Sequence, residues 1–399
     1  MIMELPARIK SFNAQRLQQV LPLKYKAMAE SPFRFFRGSC HIFYEDLLKE
    51  YPFPQSPLVW NCGDLHIENF GSYKGENRLV YFDINDFDEA VQAPLLYEIS
   101  RLLVSVEIAA TEIGFSKREK KILVQHLLHQ YRHTLIQNKS QNIEKETATG
   151  LVGKLIDKVS ERKEKDLILK RTNNKSENAK LLLSERLLEL SKDEKKQLSV
   201  SFTECFANSY HKGYKVTDAG FRIAGTGSIG VKRYLCLLEN ENNRKQKRLI
   251  DVKQALPSSI LYYVNLKQPE WQNETERVIK VQEMMQQVTP AYLSSFQYLD
   301  DWYSVKEIQP TADKVSINHA IKEPRQVEQY LSNLGMITAS AQLRSSGRYN
   351  TATADELKHF AKDESWINVL TEWSANYAEQ VRKDYAIFYN AWKDAYFNT

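Results

Sequence analysis

Apolar positions in the first ninety residues fall in short runs closed by glycine or acidic residues, not in long periodic stretches. Leu58-Val59-Trp60-Asn61-Cys62 stops at Gly63, and Arg78 to Asp83 stops at Asp and Asn, which predicts two strands flanking a loop. From Pro94 to about Gln137 the spacing changes. Leu96, Ile99, Leu102, Leu103 and Val106 recur at three and four residues, as on the apolar face of a helix. Between Ser140 and Lys196 the chain is rich in Lys, Glu and Asn, with Leu181, Leu182, Leu183, Leu187 and Leu188 interspersed. This stretch reads as solvated helices joined by an Asn-rich turn near Asn173 and Asn174. Phe221 to Ala224, Val231 to Glu239 and Arg248 to Ala255 are strand-like, the last two joined by the polar tract Asn240 to Lys247, so three antiparallel strands are expected. Helical spacing returns from Thr275 to Gln287, and Tyr298 to Ile308 reads as a further strand pair. From Pro324 onward the chain is helical with a polar break around Ser345 to Thr353.

Composition narrows the class. A chain of 399 residues, 42% hydrophobic and 26% charged, can bury one large or two medium cores. A net charge of +5 is mild and dispersed, which excludes an obvious nucleic-acid arm while leaving room for a phosphorylated ligand. Cys40, Cys62, Cys205 and Cys236 stand far apart without a CxxC pair, so they read as small buried thiols in a reducing compartment, not as a zinc or disulfide framework. No basic segment followed by an apolar one opens the chain, and no apolar run approaches about 18 residues. A soluble, cytoplasmic protein without a membrane span is expected.

Two segments carry the chemistry. Asp64 and Asn69, in Gly63-Asp64-Leu65-His66-Ile67-Glu68-Asn69, have the D-x-x-x-x-N spacing of a kinase catalytic loop, where Asp orients or deprotonates the acceptor hydroxyl and Asn holds magnesium. The following strand delivers Ile84-Asn85-Asp86-Phe87-Asp88. A carboxylate there suits a magnesium ion that keeps few protein ligands, with Asp86 the first choice, Asp83 its close competitor and Asp88 a weaker one. The second segment, Gly225-Thr226-Gly227-Ser228-Ile229-Gly230, has the form G-x-G-x-x-G. A dinucleotide fingerprint would open a helix, but Val231 to Glu239 reads as a strand, so the loop is expected at a hairpin tip over nucleotide phosphates. Lys253, on the next strand, supplies a positive charge for those phosphates, and Glu276 or Glu283 on the following helix could anchor it. His66 reads as a loop hydrogen-bonding residue, and Arg37 as a residue that positions substrate or Asp64, or forms a structural ion pair. No G-x-S-x-G elbow is present, and Cys62 lacks spaced His and Asn partners.

Ser31 to Gly38, Gly63 to Gly71, Phe82 to Ala90, Gly225 to Gly230 and Val252 to Ala255 resemble the bacterial family called domain of unknown function 2252, over most of the chain from about Met28. Separately, Gly63-Asp64-Leu65-His66 with Asn69 and Asp86-Phe87-Asp88 looks like the catalytic and metal-binding segments of aminoglycoside and choline phosphotransferases. Those enzymes usually have His where this chain has Cys62. The resemblance implies an α+β, kinase-like, two-lobed fold that is circularly permuted, because the catalytic loop precedes the glycine loop. Residues 1–215 would begin a mostly helical lobe, 216–312 would form the β-rich nucleotide-clamping lobe, and 313–399 would complete the helical one. The helix from Val327 to Ser345 would stand before the catalytic loop in space. The expected activity is ATP- and magnesium-dependent phosphoryl transfer to an unidentified small-molecule or protein acceptor. Nucleotidyl transfer from the same cleft and nucleotide binding without turnover are the alternatives, and a two-metal phosphoesterase fits less well for want of His and Asp clusters.

Overall fold

The structure is a computed structural model and describes residues 3–49, 51–173, 179–206, 211–310, 313–317 and 322–398. Four short helices open the chain: α1 (Leu5–Phe12), α2 (Leu21–Met28), α3 (Pro32–Gly38) and α4 (Cys40–Lys49). Strands β1 (Leu58–Asn61), β2 (Phe70–Lys74), β3 (Val80–Ile84) and β4 (Val91–Pro94) follow, then helices α5 (Leu95–Ile113) and α6 (Lys117–Gln137). Next come β5 (Ile143–Glu144), α7 (Gly150–Glu161), α8 (Glu164–Arg171), β6 (Leu187–Glu189) and α9 (Lys192–Phe206). Strands β7 (Tyr214–Arg222), β8 (Arg233–Asn240) and β9 (Lys247–Gln254) lead to α10 (Glu274–Met285), β10 (Ser294–Tyr298) and β11 (Asp301–Glu307). Helices α11 (Pro324–Ser345), α12 (Ala354–Lys362) and α13 (Ser365–Lys393) close it. The fold is α+β.

All strand pairs are antiparallel, in sheets of order β1-β4, β2-β3-β5 and β10-β11-β9-β8-β7-β6. The three expected strands thus form the centre of the six-stranded sheet, and the expected pair near Tyr298 is β10 and β11. The leucine-rich stretch does contain helices α7 and α8, but it also contributes β6, where Leu187 is buried and Leu188 exposed. Half of the expected Asn-rich turn, Asn174, lies outside the described residues. The single helical pattern from Pro94 to Gln137 is two helices, because Gly114 takes a left-handed φ of 102° at the end of α5 and Ser116 caps α6 through a reciprocal bond with Glu119.

Helices α5, α6, α11 and α13 share one large core with α1 to α4 and β1 to β4, around Trp60, Leu102, Leu127, Leu334 and Trp366. One face of the large sheet packs Cys236, Ile250, Val252, Tyr303 and Val305 against Leu198, Phe202 and Phe206 of α9. The sheet's packing therefore begins with β6 and α9, upstream of residue 216. The opposite face turns Arg233, Asp251, Lys253 and Lys306 toward the loop after β3, where Lys253 and Lys306 make their contacts. Segments near the two ends touch: Phe397 lies 4.4 Å from Tyr25, centroid to centroid. Among the described residues no helix is long and apolar enough to cross a membrane.

Candidate functional site

Gly63 opens the first loop with φ of 90°, and a β-carbon there would overlap the Glu89 carbonyl, so only glycine fits. Its carbonyl accepts a bond from the Tyr44 hydroxyl. From below, Glu98 on α5 accepts the Cys62 N–H at 2.5 Å and the Gly63 N–H at 3.4 Å. Gln342 of α11 donates to the second Glu98 oxygen, and Tyr131 donates to Gln342. Burial, partly offset by these donors, pushes the Glu98 carboxyl up to about 7. Helix α11 also backs the loop through Tyr330, whose hydroxyl donates to Ile67 O at 3.1 Å.

Asp64 leaves this turn with one oxygen, Oδ1, held by Arg101 of α5 at 2.8 Å from Nε and 2.5 Å from Nη2. Burial raises the Asp64 carboxyl above its ordinary value against the opposing pull of Arg101. The other oxygen, Oδ2, faces Gly227, where a β-carbon would lie 3.8 Å away. Asn69 ties the loops together, its Nδ2 donating to the carbonyls of Asp64 and Asp86, each at 3.2 Å. That leaves the amide oxygen, on the opposite side of the planar group, as the atom a hard cation would take.

Asp86 follows β3 with 47% of its side chain exposed, and its carboxylate lies 3.2 Å from Lys253 Nζ. Lys253 also pairs with Asp88. Partial burial opposes ionisation of Asp86, but Lys253, Lys306 and Arg233 hold it well below the usual carboxylate range. Burial and the Asp86 charge raise Asp88 instead. Lys306 donates to Asn85 O at 3.0 Å. Arg233, opposite Lys253 in the β8–β9 register, is held by the buried Asp251 and also reaches Ala224 O, at the base of the glycine loop, at 3.3 Å. The loop itself caps the β7–β8 hairpin, as its strand context predicts. Gly225 and Gly230 take φ of 76° and 96°, and the Ile229 N–H returns to Gly225 O. Thr226 is buried, and Ser228 O accepts the Val231 N–H.

Asp64, Asn69, Asp86, Lys253 and the glycine loop are thus brought to one place from segments up to 189 positions apart. Other expected residues are not. Asp83 faces α11, where it pairs with Arg344 at 3.1 Å and accepts the Ile84 N–H, so it is built into the core. Neither glutamate anchors Lys253. Glu276 accepts the Gln272 N–H at the start of α10, and Glu283 pairs with Lys280 on the surface. Helix α10 instead presents Arg277, which donates to the carbonyls of Asp88, Ala90 and Leu256, and Asp88 takes the anchoring place. His66 accepts the Glu68 N–H at Nδ1, its Nε2 lies 3.2 Å from Arg37 Nε, and Arg37 pairs with Glu68. The four cysteines are free thiols, three of them buried. A cavity of about 40 Å³ bordered by Arg78, Arg162, Glu307 and Asp313 contains none of these motif residues, and its walls are ion-paired to one another.

Arg101, Glu98, Lys306 and the Asp251–Arg233 pair were missed by sequence reasoning. A signal existed for some of them. Counting back across the Asn240 to Lys247 turn sets Arg233 opposite Lys253, and Asp251 two residues before Lys253 must share its face. Glu98 and Arg101, one turn apart in a helix that is buried over most of its length, mark a face turned to polar partners.

A family described as "Uncharacterized protein conserved in bacteria (DUF2252)" matches residues 16–391, and the chain belongs to that family. No curated protein and no solved structure gave a match.

Proposed function

We propose that this protein is an ATP- and magnesium-dependent phosphotransferase with a circularly permuted, kinase-like arrangement. The observation that carries the reading is the junction of the two loops with the sheet: Asn69 bonds the main chain of both Asp64 and Asp86, while Lys253 of β9 pairs with Asp86 and Asp88. Asp64 has one oxygen fixed by Arg101 and the other turned to the glycine loop, as an orienting base requires. Its raised carboxyl pKa favours proton acceptance. Asn69 and Asp86 offer hard oxygen donors. Among the described residues no group of three or more His, Cys, Asp or Glu forms a protein cage, and magnesium, which completes its shell with water and phosphate oxygens, does not need one. When bound, magnesium would neutralise charge on the phosphates. Lys253 and the glycine loop would hold the phosphate chain. An acceptor oxygen attacks the terminal phosphorus, the bond to the bridging oxygen breaks, ADP leaves, and the acceptor proton passes to Asp64. The backing of the Asp64 loop by α11, which follows the glycine loop in sequence, supports the permutation.

The test is incubation with terminally labelled ATP and magnesium, with small hydroxylated molecules and proteins as acceptors. Transfer of label should occur, and Asp64→Asn should lower its rate about 10²- to 10⁴-fold while nucleotide affinity persists. A product gaining AMP would move the reading to nucleotidyl transfer. Absence of both nucleotide binding and turnover in folded protein would overturn it.

A further inference from the structure

The glycine loop is gripped by the segment that precedes and includes α2. Arg16 Nη1 lies 2.5 Å from Gly227 O and 3.1 Å from Ile229 O, and the Leu17 N–H donates to Gly230 O at 2.9 Å. Lys24 Nζ donates to Thr226 O at 3.2 Å and Gly227 O at 2.8 Å. Beneath these bonds Val20 and Ala27 pack on Ile223 and Ile229, the apolar shoulders of the loop. Lys24 is completely buried, and among the described residues neither it nor Arg16 forms an ion pair with a carboxylate. A fully buried and a partly buried cation satisfied mainly by carbonyl oxygens are an expensive arrangement, and one that an approaching anion relieves.

The geometry of the peptide group says what the grip does. In a planar trans peptide the N–H points opposite to the C=O. With the Thr226 and Gly227 carbonyls drawn to Lys24 and Arg16, the N–H groups of Gly227 and Ser228 are turned the other way, and neither has a partner among the described residues. Successive free N–H groups in a turn form an anion-binding concavity. Fixing them in advance removes an ordering cost that a free glycine loop would meet on binding.

We propose that Lys24 and Arg16 are positioning residues that lock the glycine loop with the Gly227 and Ser228 N–H groups set as donors to a phosphate chain. The inference rests on the phosphotransferase reading. It adds that phosphate recognition depends on the N-terminal helices as well as on the hairpin that carries the loop.

The experiment compares wild type, Lys24→Met and Arg16→Gln for binding of magnesium ATP, inorganic tripolyphosphate and adenosine, alongside the unfolding midpoint without ligand. Losing one charge-assisted grip should weaken ATP and tripolyphosphate binding about ten- to a hundredfold. Adenosine binding should stay unchanged in the same variants, a split that general loss of structure would not produce. Should Lys24→Met fail to fold, Arg16→Gln, which removes a less buried group, carries the same comparison. Equal ATP affinity in wild type and a folded variant would overturn the clamp and leave the nucleotide reading standing. Absence of ATP binding in wild type would instead remove the reading and the clamp with it.

Discussion

The base role proposed for Asp64 makes two demands of one side chain: it must be held still, and it must keep an oxygen for the proton it would accept. Arg101 meets the first by taking Oδ1 with two nitrogens, and the second follows because Oδ2 is left toward Gly227. Glu98 does the comparable work for the main chain, and its raised carboxyl has a consequence for stability. An acid whose folded pKa, about 7, exceeds its unfolded value of about 4.3 binds its proton more tightly in the folded state. Its contribution is therefore complete at pH below about 4 and is lost as pH rises through about 7, by at most roughly 4 kcal/mol. Denaturant titrations at pH 5 and pH 8 should show this loss in wild type and a smaller one in Glu98→Gln. Equal losses in the two proteins would show that Glu98 does not titrate in this range. Cys62 is buried with its sulfur 3.8 Å from Asn69 Nδ2, so at this position it packs the loop without being ionised: burial raises its thiol well above the ordinary value.

Among the elements, α5, β9 and α11 set the geometry, and each was legible to a different depth. The strands β7 to β9 and the hairpin-tip position of the glycine loop follow from alternation and from the polar turn at Asn240 to Lys247. The partner of Lys253 does not. The sequence points to a helix-borne glutamate, but tertiary packing decides for Asp86 and Asp88 by bringing Arg277, not a glutamate, to the face α10 turns to the loop. Asp83 and Asp86 differ in a way no local pattern reveals, since Arg344, 261 positions away, draws Asp83 into the core. Strand β6 was hidden because its three residues lie in a charged stretch with only Leu187 buried. Helix crossing gives a sharper test. Gly335 of α11 lies so close to α6 that a β-carbon would overlap the Leu127 carbonyl. Gly→Ala within a helix ordinarily stabilises by up to about 1 kcal/mol. Here overpacking should reverse the sign and destabilise Gly335→Ala by about 1 to 3 kcal/mol, read as a lower denaturation midpoint. A gain in stability would mean that α6 and α11 are not so closely packed.

At the scale of the molecule, the proposed phosphate-handling site joins the large sheet to the helical body. The residues that join them are Lys253 with Asp86 and Asp88, Lys306 with Asn85, and Arg16 and Lys24 with the glycine loop. A ligand bridging these parts stabilises both bodies at once. The most direct test is the thermal unfolding midpoint with and without ATP and magnesium, in wild type and Asp86→Ala. Ligand at about 100 times its dissociation constant should add roughly 2.7 kcal/mol to the folded state. A magnesium-dependent rise in wild type that disappears in Asp86→Ala is the predicted result, and no rise with any nucleotide in folded wild-type protein would contradict the account.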